Sequence, residues 1–225
     1  MYGNYAVIFD MDGVLADTEP IHYQSWVKMA KEIGKNFSKE FFKSSFGQQS
    51  VPITRKLVGK KVEGDLVEKW ADLKEKYFRE MVKDKIFPLP GVIRLINELD
   101  QLNFKLAVGS SAPPENVDLL LNALKIKDYF NIIITASEVQ NGKPAPDVFI
   151  FASDKLHIVP SNCMVIEDAP VGIEAAKNAG MKCIALTTTH SYKELLTADL
   201  VIKDLSKIHV QDIIKLFDNT QFNEV

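Results

Sequence analysis

Residues 5–20 read YAVIFDMDGVLADTEP, and this stretch decides how the rest of the chain is read. Tyr5 to Phe9 is a short, almost wholly apolar run, the pattern of a strand buried on both faces of a parallel sheet. It stops abruptly at Asp10, Met11, Asp12 and Gly13. Carboxylates at the end of a buried strand lose water and are costly there, so the pair points to a cation or a reaction. In open α/β sheets, ligands bind at the carboxyl ends of the strands, where this pair falls. Asp10 is then a candidate nucleophile or metal ligand, and Asp12 a second carboxylate placed to move a proton. Gly13 lets the backbone turn without a Cβ penalty. Taken alone, the segment also fits a strand that ends in ordinary turn residues.

Outward from this stretch the texture changes twice. From about residue 18 to 84 the pattern is helical, with no convincing strand. The spacing predicts helices over Pro20–Ile33, Ser38–Ser45 with Ser38 as N-cap, Ile53–Val58, and Asp65 to about Lys83. Their expected apolar stripes are Tyr23, Trp26, Val27, Ala30 and Ile33 on the first helix, and Leu66, Trp70, Leu73, Tyr77 and Met81 on the last. From Pro88 onward, helices and strands alternate. Strands are expected at Phe104–Val108, Asn131–Thr135, Cys163–Ile166, Lys182–Leu186 and Leu200–Ile202, with a last helix over Ser206–Phe217 and a frayed acidic tail from Asn219. Alternation of this kind implies a parallel sheet with right-handed crossovers. The expected fold is α/β: a Rossmann-like parallel core, residues 1–17 and 85–225, with a helical cap, residues 18–84, inserted after the first strand.

The 225 residues suffice for one domain carrying such an insert, and 46% apolar with 25% charged residues is ordinary for a soluble globular protein. A net charge of −3 gives no electrostatic case for nucleic acid or an anionic membrane. No apolar run is long enough to cross a bilayer, and the N-terminus lacks a signal-peptide layout. Cys163 and Cys183 lack metal-site spacing and read as buried thiols of a cytoplasmic protein. Nothing in the pattern argues against a monomer.

In this topology the strand ends converge on one crevice. The first delivers Asp10 and Asp12, the second Ser110 and Ser111, and the fourth Glu167 and Asp168. Lys143 comes from the loop 141–146, NGKPAP, where Pro144 keeps it extended. Packed carboxylates imply a hard cation, and magnesium suits a few carboxylates with a substrate phosphate. The ammonium and hydroxyls suit phosphate oxygens, and a carboxylate attacking phosphorus is a known covalent route. Singly, each group has an ordinary explanation as a loop or capping residue; together they point to phosphoryl transfer.

The order of motifs resembles the haloacid dehalogenase superfamily of phosphohydrolases, in its β-phosphoglucomutase-like branch, over nearly the whole chain. FDMDGVLADTEP, LAVGSS, NGKPAPDVF and VIEDAPVGIEAAKNAG resemble its four motifs in order. The resemblance implies Asp10 as nucleophile and Asp12 as general acid/base, with Ser110, Ser111 and Lys143 on the phosphate. It also implies magnesium held by a set comprising Asp10, Asp12, Glu167 and Asp168. The helical insert becomes a cap that closes over the site and contributes substrate contacts. Candidates there are Thr18, His22, Trp26, Gly47 and Lys74, although Trp26 suits plain core packing equally well.

Three features depart from the mutases of that branch. They carry an arginine three positions after the cap glycine, whereas Gly47 is followed by Gln48, Gln49 and Ser50, and the nearest arginine is Arg55. Ala112 and Pro113 stand where they have serine and lysine, and Ala169 replaces a frequent serine. A bisphosphate must be held at both ends, so the expected activity is a magnesium-dependent phosphatase acting on a small phosphorylated metabolite, a sugar phosphate. The alternative is a β-phosphoglucomutase. A phosphonoacetaldehyde-type hydrolase would need a cap lysine, for which Lys28 and Lys31 are the candidates. A phospho-accepting receiver domain would be shorter and have no insert.

Overall fold

The structure, a computed structural model, describes residues 2–82 and 85–218. The expected end of the long cap helix at Lys83 and the tail from Asn219 lie outside the described residues. Among those described, six strands form one all-parallel sheet in the order β3-β2-β1-β4-β5-β6. They are β1 (Ala6–Phe9), β2 (Lys105–Gly109), β3 (Ile132–Ile134), β4 (Cys163–Glu167), β5 (Lys182–Leu186) and β6 (Leu200–Ile202). The strand quoted at the outset is central: Phe9 aligns with Val108 of β2 on one side and Ile166 of β4 on the other.

Strand side chains alternate between two apolar layers, as the period of two requires. Val7 and Phe9 enter one layer, packed by α5 (Val92–Gln101), α6 (Pro114–Leu124) and α9 (Val210–Phe217). Ala6 and Ile8 enter the other, packed by α7 (Asp147–Leu156) and α8 (Pro170–Asn178). With both faces covered, the sheet can bind ligands only at its rim, and β1 places Asp10 at the middle of that rim. The final helix begins at Val210 rather than Ser206, because His209 and Asp212 form a capping box there and a short 3₁₀ turn precedes it.

Residues 19–82 form α1 (Glu19–Glu32), α2 (Lys39–Ser45), α3 (Ser50–Val58) and α4 (Gly64–Val82). Ser38 caps α2 as expected, its hydroxyl accepting the Phe41 amide at 3.1 Å. These helices enclose an aromatic cluster of their own, including Trp26, Phe37, Phe42, Phe46 and Tyr77. The chain enters and leaves them along adjacent paths: Ala16 pairs with Pro88, and the Leu89 amide donates to the Leu15 carbonyl at 3.1 Å.

The expected stripes of α1 and α4 are displaced in part. Val27 and Leu66 are exposed, whereas the buried positions are His22, Ser25, Trp26, Met29 and Ala30 on α1, and Val67, Ala71, Lys74, Glu75, Tyr77, Phe78 and Val82 on α4. The rest of each expected stripe packs into or against the cap's aromatic core, and the polar His22, Ser25, Lys74 and Glu75 share the inward face with it, which a count of apolar periodicity does not reveal.

Candidate active site

Asp10, Glu167 and Asp168 converge where β1 and β4 end, each with a carboxylate oxygen within 4.8 Å of the others. All three are buried. Lys143 lies between two of them, its Nζ donating to Asp10 Oδ1 at 2.5 Å and Glu167 Oε1 at 2.6 Å, above the Phe149 ring. The Lys143–Pro144 peptide is cis. Glu167 Oε2 accepts the amides of Asp168 (2.8 Å) and Ala169 (3.0 Å), which holds the acidic pair against the start of α8.

Burial dominates the electrostatics of this group. It pushes Asp10 up to about 8: the Lys143 ammonium opposes the shift, and the Glu167 and Asp12 carboxylates add to it. Burial also raises Asp168 well above the usual carboxylate range, with Glu167 and Asp10 contributing. Lys143 moves upward because Asp10 and Glu167 together outweigh its own desolvation. One ammonium does not neutralise three carboxylates. Three hard oxygen donors so placed fit magnesium or a similar divalent cation, which would relieve the remaining repulsion.

Asp12 does not join this group. Its Oδ1 accepts from the Thr18 hydroxyl at 2.5 Å and lies 3.1 Å from His22 Nε2. Thr18 is the N-cap residue of α1, yet its side chain makes no capping bond, because the hydroxyl is given to Asp12 instead. Lys74 Nζ approaches His22 Nδ1 at 2.7 Å. An ammonium can only donate, so Nδ1 is the acceptor and the neutral ring carries its proton on Nε2, aimed at Asp12. Burial opposes ionisation of Asp12, but His22, Thr18 and the more distant Lys74 prevail and hold it below its ordinary value.

Gly13 has φ +78°, and a Cβ there would collide with the Asp168 carboxylate, so the turn after β1 admits the acidic group only because this residue is glycine. Gly47, at φ +86°, sets the cap loop against Ala169 and Val171, which a Cβ would meet at 3.1 Å. Ser110 is buried at the end of β2, its hydroxyl accepting the Ala112 amide at 3.1 Å. Ser111 lines a cavity between sheet rim and cap, together with Asp10, Asp12, His22, Trp26, Gly47, Lys74 and Glu75. Trp26 stacks on Phe37 at 5.1 Å, as core packing expects, and is also among the residues lining the cavity. Arg55 faces away and donates to the Gly59 and Val62 carbonyls. Lys28 pairs with Glu80, and neither it nor Lys31 lines the cavity.

Two groups escaped the sequence reading. Thr188 and Thr189 follow β5: Thr188 donates to the Gly13 carbonyl at 2.6 Å and Thr189 to the Asp168 carboxylate. The threonine run 187–189 at the end of a fifth strand was a usable signal, because β5 neighbours β4. Glu75 is the other. It is buried beside Lys74 and accepts from Lys74, from Ser50 and from Asn116 of α6.

The haloacid dehalogenase-like hydrolase model matches residues 7–186, most of the chain and all four motifs. The chain belongs to that family. It is an enzyme of the phosphohydrolase or phosphomutase kind within it. A phosphorylated carbohydrates phosphatase of Thermotoga maritima is 31% identical over 202 residues, covering 87% of this chain and 92% of its own. A β-phosphoglucomutase of Bacillus subtilis is 32% identical over 214 residues, with 92% of each covered. Among solved structures, a β-phosphoglucomutase of Clostridium difficile superposes with a TM-score of 0.88 at 27% identity, covering 96% of this chain and 97% of that one. The haloacid dehalogenase-like fold thus extends through the helical insert as well as the sheet. Among the described residues, no helix is long and apolar enough to cross a membrane.

Proposed function

We propose that the protein is a magnesium-dependent phosphatase that hydrolyses a small sugar phosphate through an aspartyl-phosphate on Asp10. The observation that carries this reading is the division between the two aspartates. Asp10 sits in the buried cluster with Lys143, Glu167 and Asp168, whereas Asp12 is turned toward the cap, with both hydrogen bonds on Oδ1 and Oδ2 left for proton exchange.

In the first step an Asp10 carboxylate oxygen bonds to phosphorus as the ester P–O bond breaks. The leaving oxygen takes a proton from Asp12, whose carboxyl must gain that proton from solvent as substrate binds, since without substrate it is held ionised. In the second step Asp12 removes a proton from water, whose oxygen attacks phosphorus. The acyl-phosphate bond breaks, releasing inorganic phosphate and restoring Asp10. Lys143, Ser110 and Ser111 hold the non-bridging oxygens. Asp10, Glu167 and Asp168 would hold magnesium, which when bound offsets charge on the carboxylates and the phosphate. The Asp12 side chain lies outside the close group of Asp10, Glu167 and Asp168, so it is not among the carboxylates proposed to hold the ion.

Residues 18–84 act as the cap and residues 1–17 with 85–225 as the core. The cavity between them is about 40 Å³, space for little more than water, whereas small-molecule sites run to roughly 300–1,000 Å³. Substrate entry therefore requires the cap to swing on the paired connectors at Ala16 and Pro88. We read the protein as a monomer, and two buried free thiols suit the cytoplasm.

The mutase reading draws support from the similarity to β-phosphoglucomutases, and the cavity weakens it: Ser50 stands where a phosphate-gripping arginine is expected, and Arg55 is engaged elsewhere. One reaction separates them: β-glucose 1-phosphate with magnesium and a trace of glucose 1,6-bisphosphate, followed for free phosphate and for glucose 6-phosphate. The phosphatase reading expects free phosphate without isomerisation. Glucose 6-phosphate formed faster than free phosphate overturns it.

A further inference from the structure

Lys74 and Glu75 are 2% and 6% exposed, a charged pair on the inward face of a helix that apolar residues would fill with equal or greater stability. Glu75 lines both the inner cavity and the adjoining groove between cap and core. Its Oε1 accepts from Lys74 at 3.0 Å and from Ser50, and its Oε2 accepts from Asn116 at 2.7 Å. Asn116 is fully buried, and its Oδ1 accepts Arg79 at 2.8 Å, so its amide can only turn Nδ2 toward Glu75. The carboxylate is thereby fixed from the cap side by Lys74 and Ser50, and from the core side by Asn116.

The charges facing the cavity are unequal. Asp10, Asp12 and Glu75 are carboxylates, and Lys74 is the one ammonium among the lining residues described. Lys56 is exposed outside the wall, held by Gln48 Oε1 at 2.6 Å, and Arg79 is committed to Asn116. Burial opposes ionisation of Glu75, but Lys74 and Ser50 hold it below the usual range. Lys74 therefore reaches the cavity already neutralised. A carboxylate accepts about four hydrogen bonds, and Glu75 makes three, so one position remains for a hydroxyl donor.

Resting on the phosphatase reading, we infer that Glu75 is a specificity-determining residue. It cancels the Lys74 charge, turns the cap end of the cavity against a second phosphate, and selects a monophosphate whose far end is neutral and hydroxyl-bearing. A phosphate dianion has no donor to give a carboxylate and is repelled by it, whereas a sugar hydroxyl satisfies its vacant acceptor position.

The test begins with phosphate release by the wild-type chain from a panel of hexose and pentose monophosphates. Hydrolysis of none would overturn the phosphatase reading and the inference with it. For the monophosphate hydrolysed best, the corresponding bisphosphate is measured as a competitive inhibitor of the wild type, of Glu75→Gln and of Lys74→Met/Glu75→Gln. The inhibition constant of the wild type is expected to be no lower than the KM for the monophosphate. Glu75→Gln is expected to tighten the bisphosphate about tenfold or more relative to the monophosphate, and the added Lys74→Met to remove that gain. A structural role alone would move both ligands together. Hydrolysis with an unchanged ratio in Glu75→Gln overturns the inference and leaves the phosphatase reading intact. Tighter bisphosphate than monophosphate binding in the wild type overturns it without any variant, should Glu75→Gln fail to fold.

Discussion

The molecule holds two buried polar clusters, and they are built in opposite ways. At the sheet rim, Asp10, Lys143, Glu167 and Asp168 come from separate segments, the carboxylates from strand ends and Lys143 from the loop before α7. They meet only because the parallel sheet brings those ends together. In the cap, His22, Lys74 and Glu75 lie on the facing sides of two helices, with Ser50 and Asn116 closing the network. The rim carries surplus negative charge that a cation and a phosphate chemistry can use. The cap cluster is internally balanced, which suits discrimination rather than reaction. Asp12 joins the two, belonging by sequence to the first and by hydrogen bonding to the second.

Breaking the rim should have the largest effect. Asp10→Asn is expected to lower kcat by on the order of 10⁴-fold or more while the far-UV circular dichroism and unfolding midpoint are retained, because it removes a repelled buried charge. Near-normal turnover in that variant would end the aspartyl-phosphate proposal.

Removing a cation sharpens the contrast. Lys143→Met leaves Asp10 and Glu167 facing each other without compensation, and denaturant unfolding should report a loss of about 3–5 kcal/mol. Lys74→Met leaves Glu75 with two other donors, so its loss should be roughly half that or less. Equal losses would mean that the cap network holds as much uncompensated charge as the rim.

A smaller effect concerns magnesium and pH. The Asp10 carboxyl moves from 3.8 to about 8 on folding, so between those values the folded chain binds more protons than the unfolded one. Stability of the metal-free protein from this group therefore falls as pH rises through that window. On the proposed reading magnesium would displace that proton, and its binding would stabilise the folded state. Thermal unfolding should show a larger gain from magnesium at about pH 8 than at about pH 6. A gain independent of pH would place the bound ion away from Asp10. Asp12 and Glu75 act in the opposite sense: their carboxyls are depressed, so their stabilisation is present above the ordinary carboxylate range and is lost as pH falls through it.

The two clusters also differ in how readily the sequence reveals them. Each rim carboxylate interrupts an apolar strand run, and the break is visible: AVIF before Asp10, CMVI before Glu167. The six strands and their parallel direction follow from alternation with helices, and their bounds fall within a residue or two of expectation, whereas their order in the sheet is seen only in the structure. The cap helices were expected too, with most of their inward stripes, but not the polar residues buried on those faces. Leu66 and Val27 obey the apolar period and lie outside, whereas Lys74, Glu75 and His22 lie inside. Burying charge on a helix face makes sense only beside partners from elsewhere in the fold, and those partners, Ser50 and Asn116, carry no local signal. Thr18 shows the same limit, since the sequence offers it only as a cap candidate and the hydrogen bond from its hydroxyl to Asp12 is seen only in the structure.

The most direct test of the central claim is mass spectrometry of Asp12→Ala after brief mixing with magnesium and a sugar phosphate that the wild type hydrolyses. Without its acid/base the enzyme should still attack through Asp10 with a good leaving group but release phosphate slowly. The expected result is one phosphoryl group on the peptide carrying Asp10, with turnover largely lost. A phosphoryl group on another residue, or full turnover with no adduct, would contradict the division of labour between Asp10 and Asp12.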